Sequence, residues 1–144
     1  GAAAVGLWAT QKLLPLVKEG EFASMLKNTR AAALALYDKL RADGRFLTPF
    51  PPELDIVIWA PRAGRVSAAS ELSRRIFAEA ARRHLHLALA ELPVDFFDLA
   101  TAAMTRDRDT ITCLRSVLMK PEHHEWVDRI WQILDRATNT VLRQ

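Results

Sequence analysis

Residues 112–126 read TCLRSVLMKPEHHEW, and the fold turns on where that stretch is divided. Through Met119 it has the composition of a strand, and Pro121 and Glu122 then open a helix, because proline suits a helix's first turn. The spacing therefore predicts a strand over 111–119 running into a helix. Side chains alternate faces along a strand. Cys113, Arg115, Val117 and Met119 share one face, while Leu114, Ser116 and Leu118 share the other. Arg115 is the anomaly. A guanidinium keeps its charge and is almost never fully buried without a partner. Either its head reaches water along an apolar stem, or something anionic stands opposite it.

Working outward, the helix after Pro121 carries Val127, Ile130, Leu134, Ala137 and Val141 at three- and four-residue spacing. Before the strand, residues 93–110 are polar and irregular toward their end, and TRDRDT (105–110) has the composition of an exposed turn. LHLALAEL (85–92) predicts a strand in which leucines alternate with His86, Ala88 and Ala90. Ser67 opens a helix reaching about His84, with Leu72, Ile76 and Ala80 four residues apart. Leu54–Ala60 is a strong strand, and RFLTPF (45–50) is a short one whose proline marks an edge. A helix over 21–43 places Phe22, Met25, Thr29, Leu36 and Leu40 along most of one stripe, with Gly44 as its C-terminal cap. Residues 2–14 form an Ala- and Leu-rich helix stopped near Pro15.

The order α-α-β-β-α-β-β-α predicts an α+β fold: a small, mainly antiparallel four-stranded sheet with helices packed on one face. The helices at 67–84 and 122–143 are expected on the same side. The 144 residues are enough for one domain with a real core. The chain also begins inside a helix, without a cap, and reads as a piece of something longer.

Twenty Lys and Arg stand against seventeen Asp and Glu, interleaved rather than clustered. That balance argues against a nucleic-acid partner, which would call for a basic face or a recognition motif. No apolar run approaches a membrane span, so no membrane partner is expected. One cysteine excludes an internal disulfide and fits a reducing, cytoplasmic compartment.

Chemistry-bearing motifs are few. There is no Gly-rich phosphate loop. His123 and His124 are adjacent on a helix, point about 100° apart and cannot readily chelate one ion, so no metal site is expected. His86 alternates with leucines as a packed or surface residue, and Cys113 reads as a core thiol. Trp8, Trp59, Trp126 and Trp131 read as core or interface. Asp55, within a strong strand, calls for an edge or a helix-facing hydrogen bond.

AAVGLWATQKLL, YDKLRADGRFLTPF, ELDIVIWAPR and LRSVLMKPEHHEWVDRIWQIL, in that order and spacing, resemble the C-terminal small domain of the pyridoxal-phosphate-dependent group II amino acid decarboxylases of fold type I. The resemblance spans nearly all of the chain. It implies a single C-terminal small domain over 1–144, with 1–20 as the helix leaving a missing cofactor-binding large domain. It further implies an amino acid substrate, pyridoxal 5'-phosphate as electron sink for loss of carbon dioxide, and a homodimer built through the large domains.

In the family's glutamate-specific members, an arginine on the last strand pairs with a substrate or product carboxylate. Arg115 stands at the matching place and is the expected substrate-binding residue. Members acting on aromatic substrates carry it too, so it does not identify the substrate. The family's cofactor lysine follows a histidine in the large domain. None of Lys12, Lys18, Lys27, Lys39 or Lys120 follows one, so neither catalytic nor cofactor-binding residues are expected in this chain, which alone should be inactive. The alternatives are the small domain of another fold type I enzyme, such as an aminotransferase, and a free-standing α+β protein-interaction module.

Overall fold

Central strand 110–117 holds the architecture together in the computed structural model of the chain, which describes residues 2–144. Gly1, included in the single domain read from the sequence, lies outside the described residues. The elements are α1 (Ala2–Leu13), α2 (Glu21–Ala42), β1 (Phe46–Leu47), β2 (Ile56–Pro61), α3 (Val66–Arg82), β3 (Ala88–Pro93), β4 (Thr110–Val117) and α4 (His123–Leu142), with a 3-10 turn at Val94–Phe96. The strands form one sheet in the order β1-β2-β4-β3, antiparallel at every step. The fold is α+β, as the alternation of patterns predicts.

The sheet's two faces are covered differently. Leu114 of β4 and Trp59 of β2 sit opposite each other and face α2, α3 and α4. There Ala32, Ala33, Leu36 and Leu40 of α2, Ile76 of α3 and Leu134 of α4 close the main core. Short side chains at 32 and 33 let α2 approach its neighbours closely. On the other face, Val94, Phe97, Ala102 and Met104 fold over Ala60, Ile111 and Cys113 to make a second, smaller core. Residues 105–110 are exposed, as their composition predicts, whereas 94–104 packs onto the sheet. Its four buried residues follow the path of a loop, which has neither a strand's nor a helix's period.

Local chemistry explains the shifted boundaries. His84 takes a positive φ of 63° just after α3, and Leu85 N–H and His84 N–H bond to the carbonyls of Ala80 and Ala81. This six-residue closure uses the chain through Leu85, and the strand expected from 85 begins only at Ala88. Gly44 is not the cap of α2. Asp43 holds that place, and its carboxylate accepts the Arg45 backbone N–H at 2.9 Å. Ser67 lies inside the first turn of α3 rather than capping it. The cap comes from a distant loop, where Asp107 accepts both the Ser67 N–H and its hydroxyl. Asp55 falls just before β2 rather than within it, and its carbonyl accepts the Leu118 N–H at 2.8 Å.

One ionic cluster ties the ends of three elements together. The Arg45 guanidinium, just before β1, donates to Asp43 at the end of α2 and to Asp135 and Asn139 of α4. Hydrogen bonding from Arg45 holds the Asp43 carboxyl below its ordinary range.

Candidate functional site

Arg115 occupies the middle of β4, flanked by Ile58 of β2 and Ala88 of β3. Alternation puts it on the face away from the helices, in line with Ile111, Cys113 and Val117. The 94–104 segment covers the first two of these completely. Its cover stops short of the other two, and Arg115 and Val117 remain half-buried. Beyond them, Ile56 is exposed by 43% and Leu54 by 62%. The face is therefore capped at one end and open at the other, with Arg115 at the boundary.

Its electrostatics are unusual. The Arg115 Nε atom is buried, yet it has no hydrogen-bond partner among the described residues. A buried donor left unsatisfied costs about 1–3 kcal/mol, and more where the group is charged. Several other arginines are anchored, Arg45 by two carboxylates, Arg106 by Asp95 and Asp109, Arg83 by Glu79. Arg115 has the inner part of its guanidinium desolvated and no acid to meet it.

A largely apolar cleft of about 540 Å³ opens where β2 begins, lined by Phe50, Pro51, Pro52, Leu54 and Ile56 together with the acids Glu53 and Asp55. Ile56 pairs with Val117 across the ladder and so shares the face of Arg115. Phe96 stands edge-on to Phe50 with ring centroids 5.9 Å apart, adding an aromatic rim. The combination is an unpaired guanidinium beside a largely apolar, uncovered surface.

The remaining sequence candidates do not converge on this place. His123 is half-buried, with its Nδ1 accepting the Lys120 N–H at 3.4 Å, and His124 is exposed. Among the described residues no group of three His, Cys, Asp or Glu side chains could hold a metal ion. His86 is exposed. Cys113 is buried, and burial pushes its thiol up to about 12, which leaves it protonated and unreactive. Trp59 is fully buried and Trp131 stands edge-on to Phe46, whereas Trp8 and Trp126 are exposed by 61% and 51%. No helix of the described residues is long and apolar enough to cross a membrane.

The same fold occurs in solved decarboxylase structures. Oryza sativa TDC with PLP and tryptamine matches at a TM-score of 0.67 and 17% identity, over 93% of this chain and 26% of that one. Catharanthus roseus tryptophan decarboxylase in complex with L-tryptophan matches at 0.64 and 18%, over 94% and 25%. The glutamate decarboxylase domain of diaminobutyrate-pyruvate transaminase and L-2,4-diaminobutyrate decarboxylase from Vibrio parahaemolyticus matches at 0.54 and 18%, over 82% and 22%. No family model and no curated protein sequence matches the chain. The chain thus has the fold of a portion of these structures, spanning about a quarter of their length.

Proposed function

We propose that this chain is the C-terminal domain of a pyridoxal-phosphate-dependent amino acid decarboxylase and closes its active-site cleft with the open face of the sheet. The observation that carries the proposal is the desolvated, unpartnered Nε of Arg115 at the edge of an uncovered apolar surface. A large domain packed there would remove Leu54, Ile56 and Val117 from water. The anion that Arg115 lacks would come from the substrate or from the large domain itself. A planar fork is suited to bidentate pairing with a carboxylate.

The residues of this chain do not fit a cofactor site. Lys12, Lys18, Lys27 and Lys120 are exposed, and Lys39 is tied to Asp128 at 2.8 Å. Lys39 and Lys120 do line surface clefts with Asp43 and Glu122, but Lys39 is already paired with Asp128, Asp43 is held by Arg45, and Lys120 and Glu122 are both exposed. The cofactor and its lysine therefore belong to the large domain. In this reading the enzyme is a cytoplasmic homodimer assembled through those large domains.

The test has two parts. The polypeptide segment that precedes Gly1 in the encoding gene should contain a His-Lys pair and a cofactor aspartate. The full polypeptide should then release carbon dioxide from an L-amino acid when supplied with pyridoxal phosphate, while the 144-residue chain alone should not. Borohydride treatment of the chain with the cofactor should label no single lysine. Stoichiometric labelling at one lysine, or a start codon at the position of Gly1, would remove the proposal. A full polypeptide that exchanges amino groups with a keto acid but releases no carbon dioxide would move the chain to an aminotransferase.

A further inference from the structure

On the opposite side of the sheet from Arg115, a polar cleft of about 280 Å³ lies between α3, the 105–110 loop and the edge strand β3. Its walls are Ser67, Ser70, Arg74, Arg108, Thr110 and Thr112, with Glu91 completing the rim. Alternation in β4 separates it from the open face: Thr112 shares its side with Leu114, which lies in the helix-covered core.

Donors outnumber acceptors in this cleft. Ser70 and Thr112 are 7% and 4% exposed, so their hydroxyls are more than nine-tenths buried. The Ser70 oxygen accepts the Thr112 N–H at 3.0 Å, and the Thr112 oxygen accepts Arg74 Nη2 at 2.9 Å. Both oxygens are thus used as acceptors, and neither hydroxyl proton finds an acceptor among the described residues. Arg74 is steadied by Thr112, and its only carboxylate, Glu71, stands off at 3.8 Å from Nη1. Arg108 has neither an ion pair nor a hydrogen bond among the described residues, although its neighbour Arg106 is held by Asp95 and Asp109. Asp107 is occupied in capping α3 through Ser67, itself a wall of the cleft, and is not among the lining residues. Arg74, Arg108, Ser70 and Thr112 thus line a space in which Glu91 is the one acid among the lining residues.

We propose that this cleft binds a small oxyanion, a phosphate or carboxylate group, between Arg74 and Arg108 with the Ser70 and Thr112 hydroxyls donating to it. An oxyanion has the lone pairs to accept all four, and charge-assisted bonds from guanidinium groups are the strong ones. The site is independent of the decarboxylase reading, since it uses neither the open face nor Arg115.

The experiment is an amide-resolved NMR titration of the chain with inorganic phosphate and, separately, with acetate, at constant ionic strength set by sodium chloride. The expected result is saturable shifts at Ser70, Arg108 and Thr112 with at least one of the two anions. If phosphate alone saturates, the ligand carries a phosphoryl group; if acetate does so equally well, it carries a carboxylate. Arg108 is exposed and unpaired, so Arg108→Gln should keep the fold and weaken binding about tenfold, the size expected for one charge-assisted contact. Glu91→Gln should tighten it, and Arg115→Gln should leave it unchanged. Shifts that fail to saturate with either anion, or that persist unaltered in Arg108→Gln, would overturn the proposal.

Discussion

Three side chains are held in states that ordinary solvent exposure would not produce. Arg115 carries a desolvated Nε without a partner, a stability cost that the chain does not recover internally. His84 is a second case. Its positive φ places a β-carbon where glycine is at ease, and the left-handed region costs an ordinary residue about 1 kcal/mol or more. His84→Gly should therefore raise the stability of the chain by about 0.5–1 kcal/mol, read as a higher urea midpoint with an unchanged slope. Asp43 is the third, its carboxyl held below the ordinary 3.8 chiefly by the hydrogen bond from Arg45. A depressed folded-state value means the unfolded chain binds its proton first as pH falls. The stabilisation is fully present above about pH 4 and fades as pH drops through the lower folded value. Asp43→Asn should accordingly melt below the wild type at neutral pH and converge with it toward pH 2. A gap that persists undiminished at pH 2 would assign the effect to something other than charge.

Elements whose residues keep a period were legible in the sequence, and those shaped by loop chemistry were not. α3 and α4 show their buried stripes directly, Ile76 and Ala80 in one and Val127, Leu134, Ala137 and Val141 in the other. The cap of α3 could not be read, because Asp107 lies forty residues from Ser67 in sequence. The second core over 94–104 was missed for a related reason: a loop buries residues where its path touches the sheet. α1 raises a different point. None of its residues is buried, yet Val5, Leu7, Trp8 and Leu13 are each more than half exposed, and a helix apolar on all sides is ordinarily covered. Under the proposed function it would pack against the large domain or a neighbouring subunit. Deleting residues 2–13 should leave the melting temperature of the remainder unchanged, and the undeleted chain should self-associate or exchange amide hydrogens rapidly in that segment. A strictly monomeric chain with strong protection over 2–13 would contradict this.

At the scale of the whole molecule, the sheet separates two surfaces with different demands. One is closed by three helices, and the other is half covered, leaving an apolar rim and one unpaired guanidinium. The position of Arg115 on an apolar strand face was visible in the sequence; the missing partner and the uncovered end of the face were not, because both depend on where the 94–104 segment stops. We propose that Arg115 is kept for an anion outside this chain. Arg115→Met tests it in two settings at once. In the isolated chain, removing an unpartnered guanidinium should leave the melting temperature unchanged or raise it. In the full polypeptide, a buried charge pair that loses one member gives up about 2–5 kcal/mol, so kcat/KM for decarboxylation should fall by about 30-fold or more. Arg115→Lys should recover only part, since an ammonium cannot reproduce the planar fork. An unchanged kcat/KM, or a loss matched by an equal drop in the stability of the isolated chain, would contradict the claim.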